Sequence, residues 1–180
     1  MKKWIVLVAL FLLILPAAQA GIGVFGSYWD SKDYDALYGG GLKLGAELGA
    51  GFGLEARASY HSSDLFGDNS VSMNIIPLEA VLSWTLDVSE MLKPYIGAGA
   101  GYYMKSVDVE EDDFWKNTDD CVGYFALAGL NLVFGNATVF GEAKYNLMSQ
   151  EDEFEWRGSD IKEKYSLDGV SINAGIKFGF

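Results

Sequence analysis

Hydrophobic and polar residues alternate along most of the chain after residue 20, which is the two-residue period of a β-strand. The last eleven residues alternate without interruption. One face of this segment carries Val170, Ile172, Ala174, Ile176, Phe178 and Phe180. A strand at the end of a sheet has an unpaired edge, which is a liability in water and a greater one in lipid. We therefore expect this strand to pair with the first one and to close a barrel.

Alternating segments of about ten residues recur through the rest of the chain, separated by clusters of Gly, Asn, Asp and Ser. We predict eight strands, near residues 21–29, 37–48, 52–61, 73–86, 94–105, 121–133, 137–147 and 169–180. The connections after the second, fourth and sixth strands are short, and the others are longer and mostly polar. Short turns at one end and long loops at the other are typical of a membrane barrel, with both termini at the turn end.

One face of each predicted strand is apolar, and the opposite face carries charged residues in mid-strand. In the second strand, for example, Leu42 and Leu44 flank Lys43. The charges on the polar faces are Lys43, Arg57, Lys144 and Lys177 against Glu47, Glu55, Glu79 and Glu142. Four cations and four carboxylates therefore balance within a chain of net charge −12.

This balance favours a membrane barrel over a water-soluble one. A soluble barrel would bury these charges in an apolar core or expose a surface of Leu, Ile, Val and Phe, and both are costly. In a narrow membrane barrel the same residues can pair with one another across the lumen. The alternative is that they are the scattered Lys and Glu of any half-exposed sheet, which explains the alternation but not the neutrality.

The first twenty residues have the features of a secretory signal peptide. Residues 1–3 are a basic start, residues 4–15 are apolar, and Ala18 and Ala20 are small residues at the positions that a signal peptidase reads. The apolar run is shorter than the roughly 20 residues that a transmembrane helix needs. We predict a cleaved signal peptide over residues 1–20 and a single barrel domain over residues 21–180.

Composition excludes several classes of function. Without the signal peptide, eleven Lys and Arg face 25 Asp and Glu, a net charge of −14, which argues against nucleic acid as a partner. Cys121 is the only cysteine, so an internal disulfide is impossible. Gly97, Gly99 and Gly101 occupy alternate positions of the fifth strand, where they make room for neighbouring side chains rather than cradle a phosphate. We expect no cofactor and no metal site.

Two of the predicted loops are strongly acidic. Their carboxylates are Asp108, Glu110, Glu111, Asp112, Asp113, Asp119 and Asp120 in one loop, and Glu151, Asp152, Glu153, Glu155, Asp160 and Glu163 in the other. Neither loop has the ordered oxygen spacing of an EF-hand. We expect a solvated, mutually repelling surface. The alternative is weak capture of divalent cations that bridge lipopolysaccharide phosphates.

The sequence resembles the small outer-membrane β-barrel superfamily, which contains OmpW, OmpX and the OmpA membrane domain. The resemblance is carried by residues 76–84, 93–102 and 140–145 and by the terminal Phe180, and it extends over nearly the whole mature chain. It implies an outer membrane of the Gram-negative type, surrounded by lipid and lipopolysaccharide, with periplasmic termini. It also implies that the barrel assembly machinery reads the last strand. The residues of that signal would be Ala174, Ile176, Phe178 and Phe180.

His61 and Ser63 resemble the His-x-Ser element of outer-membrane lipid A deacylases. The chain departs from that pattern, because Asp64 stands where those enzymes have an asparagine, and no acidic partner can be named. We therefore expect a protein that is not an enzyme and keep a lipid A-active esterase as the least favoured alternative.

Taken together, the sequence predicts an all-β protein: an eight-stranded, antiparallel, up-and-down transmembrane β-barrel. The interior of such a barrel is just wide enough for side chains or one small ligand. We expect a structural or surface-interaction role with a lumen filled by side chains. The alternative is a narrow porin-like conduit, or a binding site for small, partly apolar solutes, if Phe125 and Leu127 face the lumen.

Overall fold

The computed structural model describes residues 20–32, 36–64, 71–109, 116–117, 120–148, 152–153, 164–165 and 167–179. Its long strands are β1 (Ala20–Ser31), β2 (Leu37–Gly49), β3 (Phe52–Asp64), β4 (Val71–Thr85), β5 (Leu92–Val109), β6 (Cys121–Phe134), β7 (Ala137–Met148) and β8 (Gly169–Phe178). Lys116–Asn117 pairs with β5, and Asp152–Glu153 pairs with Lys164–Tyr165. No helix in this described part is long and apolar enough to cross a bilayer.

The eight long strands form a closed antiparallel barrel. Each strand pairs with its neighbours in sequence, and β1 pairs with β8 from Ile22 opposite Phe178 to Ser31 opposite Gly169. Closure leaves none of these strands as a sheet edge. The predicted eight-stranded antiparallel barrel is confirmed. β5 departs most from its predicted span, because its pairing with β4 continues to Val109, through polar residues that resemble a loop in the sequence.

The two ends of the barrel differ. At the turn end, residues 50–51, 86–91 and 135–136 connect the strands, and β1 begins and β8 ends there. At the loop end, the connections are residues 32–36, 65–70, 110–120 and 149–168. The signal peptide lies outside the described residues apart from Ala20, and its cleavage remains a prediction.

Apolar side chains face outward and charged side chains face inward. β1 alternates between exposed and buried at every residue from Ala20 to Ser31. Leu42 and Ile96 are 54% and 55% exposed, whereas Lys43 is 1% exposed. Exposed aromatic side chains lie toward both ends: Tyr28, Tyr38, Tyr60, Tyr124 and Tyr145 toward the loops, and Phe52, Trp84, Phe134 and Phe178 toward the turns. This inverted pattern with two aromatic belts suits a wall that contacts lipid.

The ladder between β3 and β4 is interrupted at Pro77. Cα partners run from Phe52 to Ala58 on β3 and resume at His61, so the rungs opposite Pro77 and Ile76 are missing. Proline has no backbone N–H and cannot donate to the ladder. Outside the barrel, Tyr60 Oη donates to Asn74 Oδ1 at 2.6 Å and joins the two strands beside the gap.

Candidate functional site

The middle of the lumen contains an ion-pair network centred on Arg57. Its guanidinium donates to Glu55 Oε2 on the same strand at 2.8 and 3.1 Å. It also donates to both carboxylate oxygens of Glu142, one of them at 3.0 Å. Tyr95 Oη and Asn173 Nδ2 donate to Glu142 at 2.7 and 2.9 Å. Because Arg57 lies on β3 and Glu142 on β7, this bidentate pair bridges the lumen from wall to wall.

Two lysines extend this network toward the turn end. Lys43 Nζ lies 3.6 Å from Glu55 Oε2 and 3.4 Å from the centre of the Phe140 ring. Lys177 is 7% exposed and stands opposite Gly23 on the next strand. A Cβ at Gly23 would lie 2.9 Å from the Lys177 Cβ and 3.2 Å from the Lys43 Cγ, so both lysine stems pack over this glycine.

A second group of polar residues lies nearer the loop end. Lys144 Nζ donates to Glu79 Oε1 at 2.5 Å, and Tyr103 Oη donates to the same oxygen at 3.0 Å. Lys144 Nζ also lies 4.9 Å from the centre of the Phe125 ring. The carboxylate of Glu79 is therefore held by a cation and a phenol in a part of the lumen that is walled by aromatic rings.

Seven of the eight charged residues predicted to face the lumen are buried, and Glu47 is exposed. Glu47 still pairs in register with Gly53, and the register between β2 and β3 shifts only after it, so its side chain is exposed because it lies at the open turn end of the barrel. Lys105 is a further buried charge, 4% exposed, that is not among the predicted lumen residues. Lys105 continues the alternation of Tyr95 and Tyr103, and that period could have revealed it.

The buried charges therefore do not balance, whereas the sequence predicts a neutral set. Within the described residues, five buried cations face three buried carboxylates, an excess of two positive charges. The cations are Lys43, Arg57, Lys105, Lys144 and Lys177, and the carboxylates are Glu55, Glu79 and Glu142.

His61 and Ser63 face the interior of the barrel. His61 is 2% exposed, its Nε2 lies 2.9 Å from Ser27 Oγ, and its ring packs edge-on against Trp29. Ser63 is 7% exposed. An esterase that acts on lipid A needs a nucleophile that its lipid substrate can reach. These two side chains point away from the lipid-facing surface, so the arrangement does not suit that reaction.

The remaining predicted sites are only partly described. On β8, Ala174 and Phe178 are exposed and Ile176 is half-buried, whereas Phe180 lies outside the described residues. Most side chains of the two acidic loops also lie outside them. Asp120 is described, and its carboxylate accepts a hydrogen bond from Tyr102 Oη at 2.5 Å. Over the part of the chain that is described, no three His, Cys, Asp or Glu side chains lie together as a metal site would need.

Apolar side chains line one wall of the lumen. Phe125 and Leu127 on β6 are 3% and 5% exposed and form a cluster with Val81 and Tyr95. Both residues therefore face inward, which is the condition that the conduit alternative required.

Several solved structures share this architecture. Neisserial surface protein A matches with a TM-score of 0.68 and 14% identity, over 91% of this chain and 98% of that one. OprG from Pseudomonas aeruginosa matches with a TM-score of 0.67 and 15% identity, over 91% and 96%. Ail, the attachment invasion locus protein of Yersinia pestis, matches with a TM-score of 0.55 and 13% identity, over 89% and 96%. At these identities the likeness shows the fold alone.

No curated protein matches the chain in sequence. The family described as the outer membrane protein beta-barrel domain matches residues 7–180, which is nearly the whole length. The closed barrel, its lipid-facing apolar wall and its charged lumen agree with that match. The chain belongs to the outer membrane protein β-barrel domain family.

Proposed function

We propose that this protein is a non-enzymatic outer-membrane barrel with a structural or surface-interaction role, and that its lumen is a packed core rather than a pore. The observation that carries the proposal is the bridge between Arg57 and Glu142, which joins opposite walls in mid-lumen. Tyr95 and Asn173 complete the hydrogen bonds of Glu142 in the same layer. An eight-stranded barrel leaves little free width once such side chains fill it.

Planar-bilayer recording tests this proposal. We expect the refolded barrel to insert without steady single-channel openings, because the bridge and the rings around it occupy the middle of the lumen. A general porin inserted under the same conditions is the control for detection. Regular conductance steps from the wild-type protein would contradict the packed-core proposal.

A narrow conduit or binding site for small, partly apolar solutes is the second candidate. The apolar wall formed by Val81, Tyr95, Phe125 and Leu127 favours it, since such a strip could contact an uncharged solute. Uptake of small uncharged solutes into proteoliposomes, without ion conductance, would support this candidate over the first.

We propose that the loops provide the surface-interaction role, with the termini in the periplasm and lipopolysaccharide around the wall. Ail has been solved in complex with the heparin analogue sucrose octasulfate, which is a polyanion. Twelve excess negative charges and two acidic loops make a polyanion an unsuitable partner for this chain. Divalent cations that bridge the loops to lipid phosphates fit this charge better.

Calcium titration by calorimetry on the refolded barrel tests the cation proposal. We expect weak heats that disappear when the loop carboxylates at residues 110–113 are replaced by their amides, because carboxylate oxygens are preferred Ca²⁺ ligands. The same substitution at the turn-end residues Asp87 and Glu90 is the control. Heats no larger than those of buffer would reject cation binding and leave the packed-core proposal untouched.

For the assembly role, we propose that the last strand is the segment that the barrel assembly machinery recognises. Ala174 and Phe178 are exposed on the outer face of β8, where a protein that guides insertion could contact them. The register between β8 and β1 shows that this strand also completes the closed sheet.

A further inference from the structure

The loop-end mouth of the lumen is lined mainly by apolar side chains, with the buried Lys105 and Ser63 beside them, opposite Ile75 and Met73. We call the apolar group the mouth cluster. Its members are Trp29, Leu37, Met73, Ile75, Tyr103, Cys121 and Leu167, with Met148 packed against them. They come from β1, β2, β4, β5, β6 and β7 and from the residue pair that precedes β8, and the seven buried members are each 3% exposed or less.

Leu167 is the one member that does not belong to a strand, and the next residue, Asp168, accepts two hydrogen bonds from strand ends. Met148 N donates to Asp168 Oδ1 at 2.6 Å, which ties the segment to the end of β7. Lys32 N donates to the carbonyl oxygen of Asp168 at 2.8 Å, which ties it to the end of β1. These two bonds hold the leucine side chain in the mouth.

The interior beyond the mouth cluster is largely polar apart from the apolar wall of Phe125 and Leu127. His61 and Ser27 lie next to the mouth cluster, and the Lys144–Glu79 pair follows. At the turn end the buried inward side chains are Ser83, Asn131, Thr138 and Lys177, together with the apolar Phe140, which stands opposite Asn131. Among the described residues, the loop end therefore has a cluster of seven buried apolar side chains, whereas the buried side chains of the turn end are mixed.

We propose that the mouth cluster is a hydrophobic seal, with Leu167 as its central residue, that separates the polar lumen from water at the loop end. An apolar constriction excludes water because ions and water molecules find no hydrogen-bond partners there. The seal does not depend on whether the barrel is a packed core or a narrow conduit.

The chain contains its own reporter for this seal. Cys121 is the only cysteine, is 3% exposed and is a member of the mouth cluster. A charged, water-soluble methanethiosulfonate reagent reaches a buried thiol only when water does, and the modified fraction can be followed by mass spectrometry. The refolded full-length barrel in detergent or in lipid vesicles is suitable for the assay.

We expect Cys121 in the wild-type barrel to react far more slowly than in the urea-unfolded chain. Leu167→Ala should speed the reaction roughly tenfold to hundredfold. Opening of the wild-type mouth exposes a buried leucine to water, and the free-energy cost of opening is lower when that residue is alanine. Leu127→Ala is the matched control, since Leu127 is also a buried lumen leucine but packs with Val81, Tyr95 and Phe125 and not in the mouth cluster. Leu167→Met should keep the wild-type rate.

Three outcomes would overturn the seal: a wild-type rate equal to that of the unfolded chain, an unchanged rate in Leu167→Ala, or an equal acceleration in Leu127→Ala. The last would show that general loosening of the barrel exposes the thiol. Heat-modifiable migration on gels reports whether each variant is folded. If Leu167→Ala does not fold, Leu167→Val decides the same question through a smaller acceleration.

Discussion

Arg57→Met should destabilise the barrel by about 3–5 kcal/mol, the largest loss that we expect from any single lumen substitution. Methionine fills a similar volume but removes the guanidinium that pairs with both Glu55 and Glu142. The Glu142 carboxylate is then left in the interior with two neutral donors, Tyr95 and Asn173. Reversible urea unfolding in lipid vesicles, followed by tryptophan fluorescence, measures the change in free energy.

The matched control is Lys93→Met, which breaks an ion pair at the turn end. Lys93 Nζ lies 2.9 Å from Asp87 Oδ1, but the two side chains are 35% and 76% exposed. Solvent screens such a pair, so the expected loss is about 1 kcal/mol or less. Adding Glu142→Gln to Arg57→Met should recover part of the stability. Equal urea midpoints for Arg57→Met and Lys93→Met would contradict the view that the bridge holds the lumen together.

The strands could be predicted from the sequence because their two-residue period is local. The apolar residues on either side of each inward charge indicate which face it occupies, as Leu42 and Leu44 do for Lys43. The period does not show where the interior of the barrel ends. Alternation places Glu47 in the lumen, but this residue lies at the open turn end and its side chain is exposed.

The contacts across the lumen could not be predicted in the same way. Arg57 and Glu142 are 85 positions apart, and they meet because the tilt and stagger of all the intervening strands bring them to one height. Leu167 shows a second limit. It lies in a connection, where no alternation indicates the direction of a side chain, so its position in the lumen could not be predicted.

Glycines in the lumen wall are placed opposite aromatic rings, as the sequence analysis suggested for the fifth strand. A Cβ at Gly129 would lie 2.5 Å from the Tyr95 ring, and one at Gly101 would lie 2.9 Å from the Tyr103 ring. The same rings carry the hydroxyl groups that bond Glu142 and Glu79. These glycines therefore set the position of the hydrogen-bond donors of the charged network as well as the packing.

Gly99→Ala should destabilise the barrel by about 1–3 kcal/mol, because the added methyl group has no space. Its Cβ would lie 2.3 Å from the carbonyl oxygen of Ala80 and 2.5 Å from Phe125 Cζ, and the first of these is backbone that cannot turn aside.

Gly141→Ala is the control, since a Cβ there meets nothing within 4 Å. The control should be neutral or stabilising by about 0.5–1 kcal/mol, because alanine loses less conformational entropy than glycine on folding. Urea unfolding should therefore show a loss of stability for Gly99→Ala and either no change or a gain for Gly141→Ala. A Gly99→Ala barrel as stable as the Gly141→Ala barrel would show that the wall near Phe125 has room to spare, and that the lumen is wider than a packed core allows.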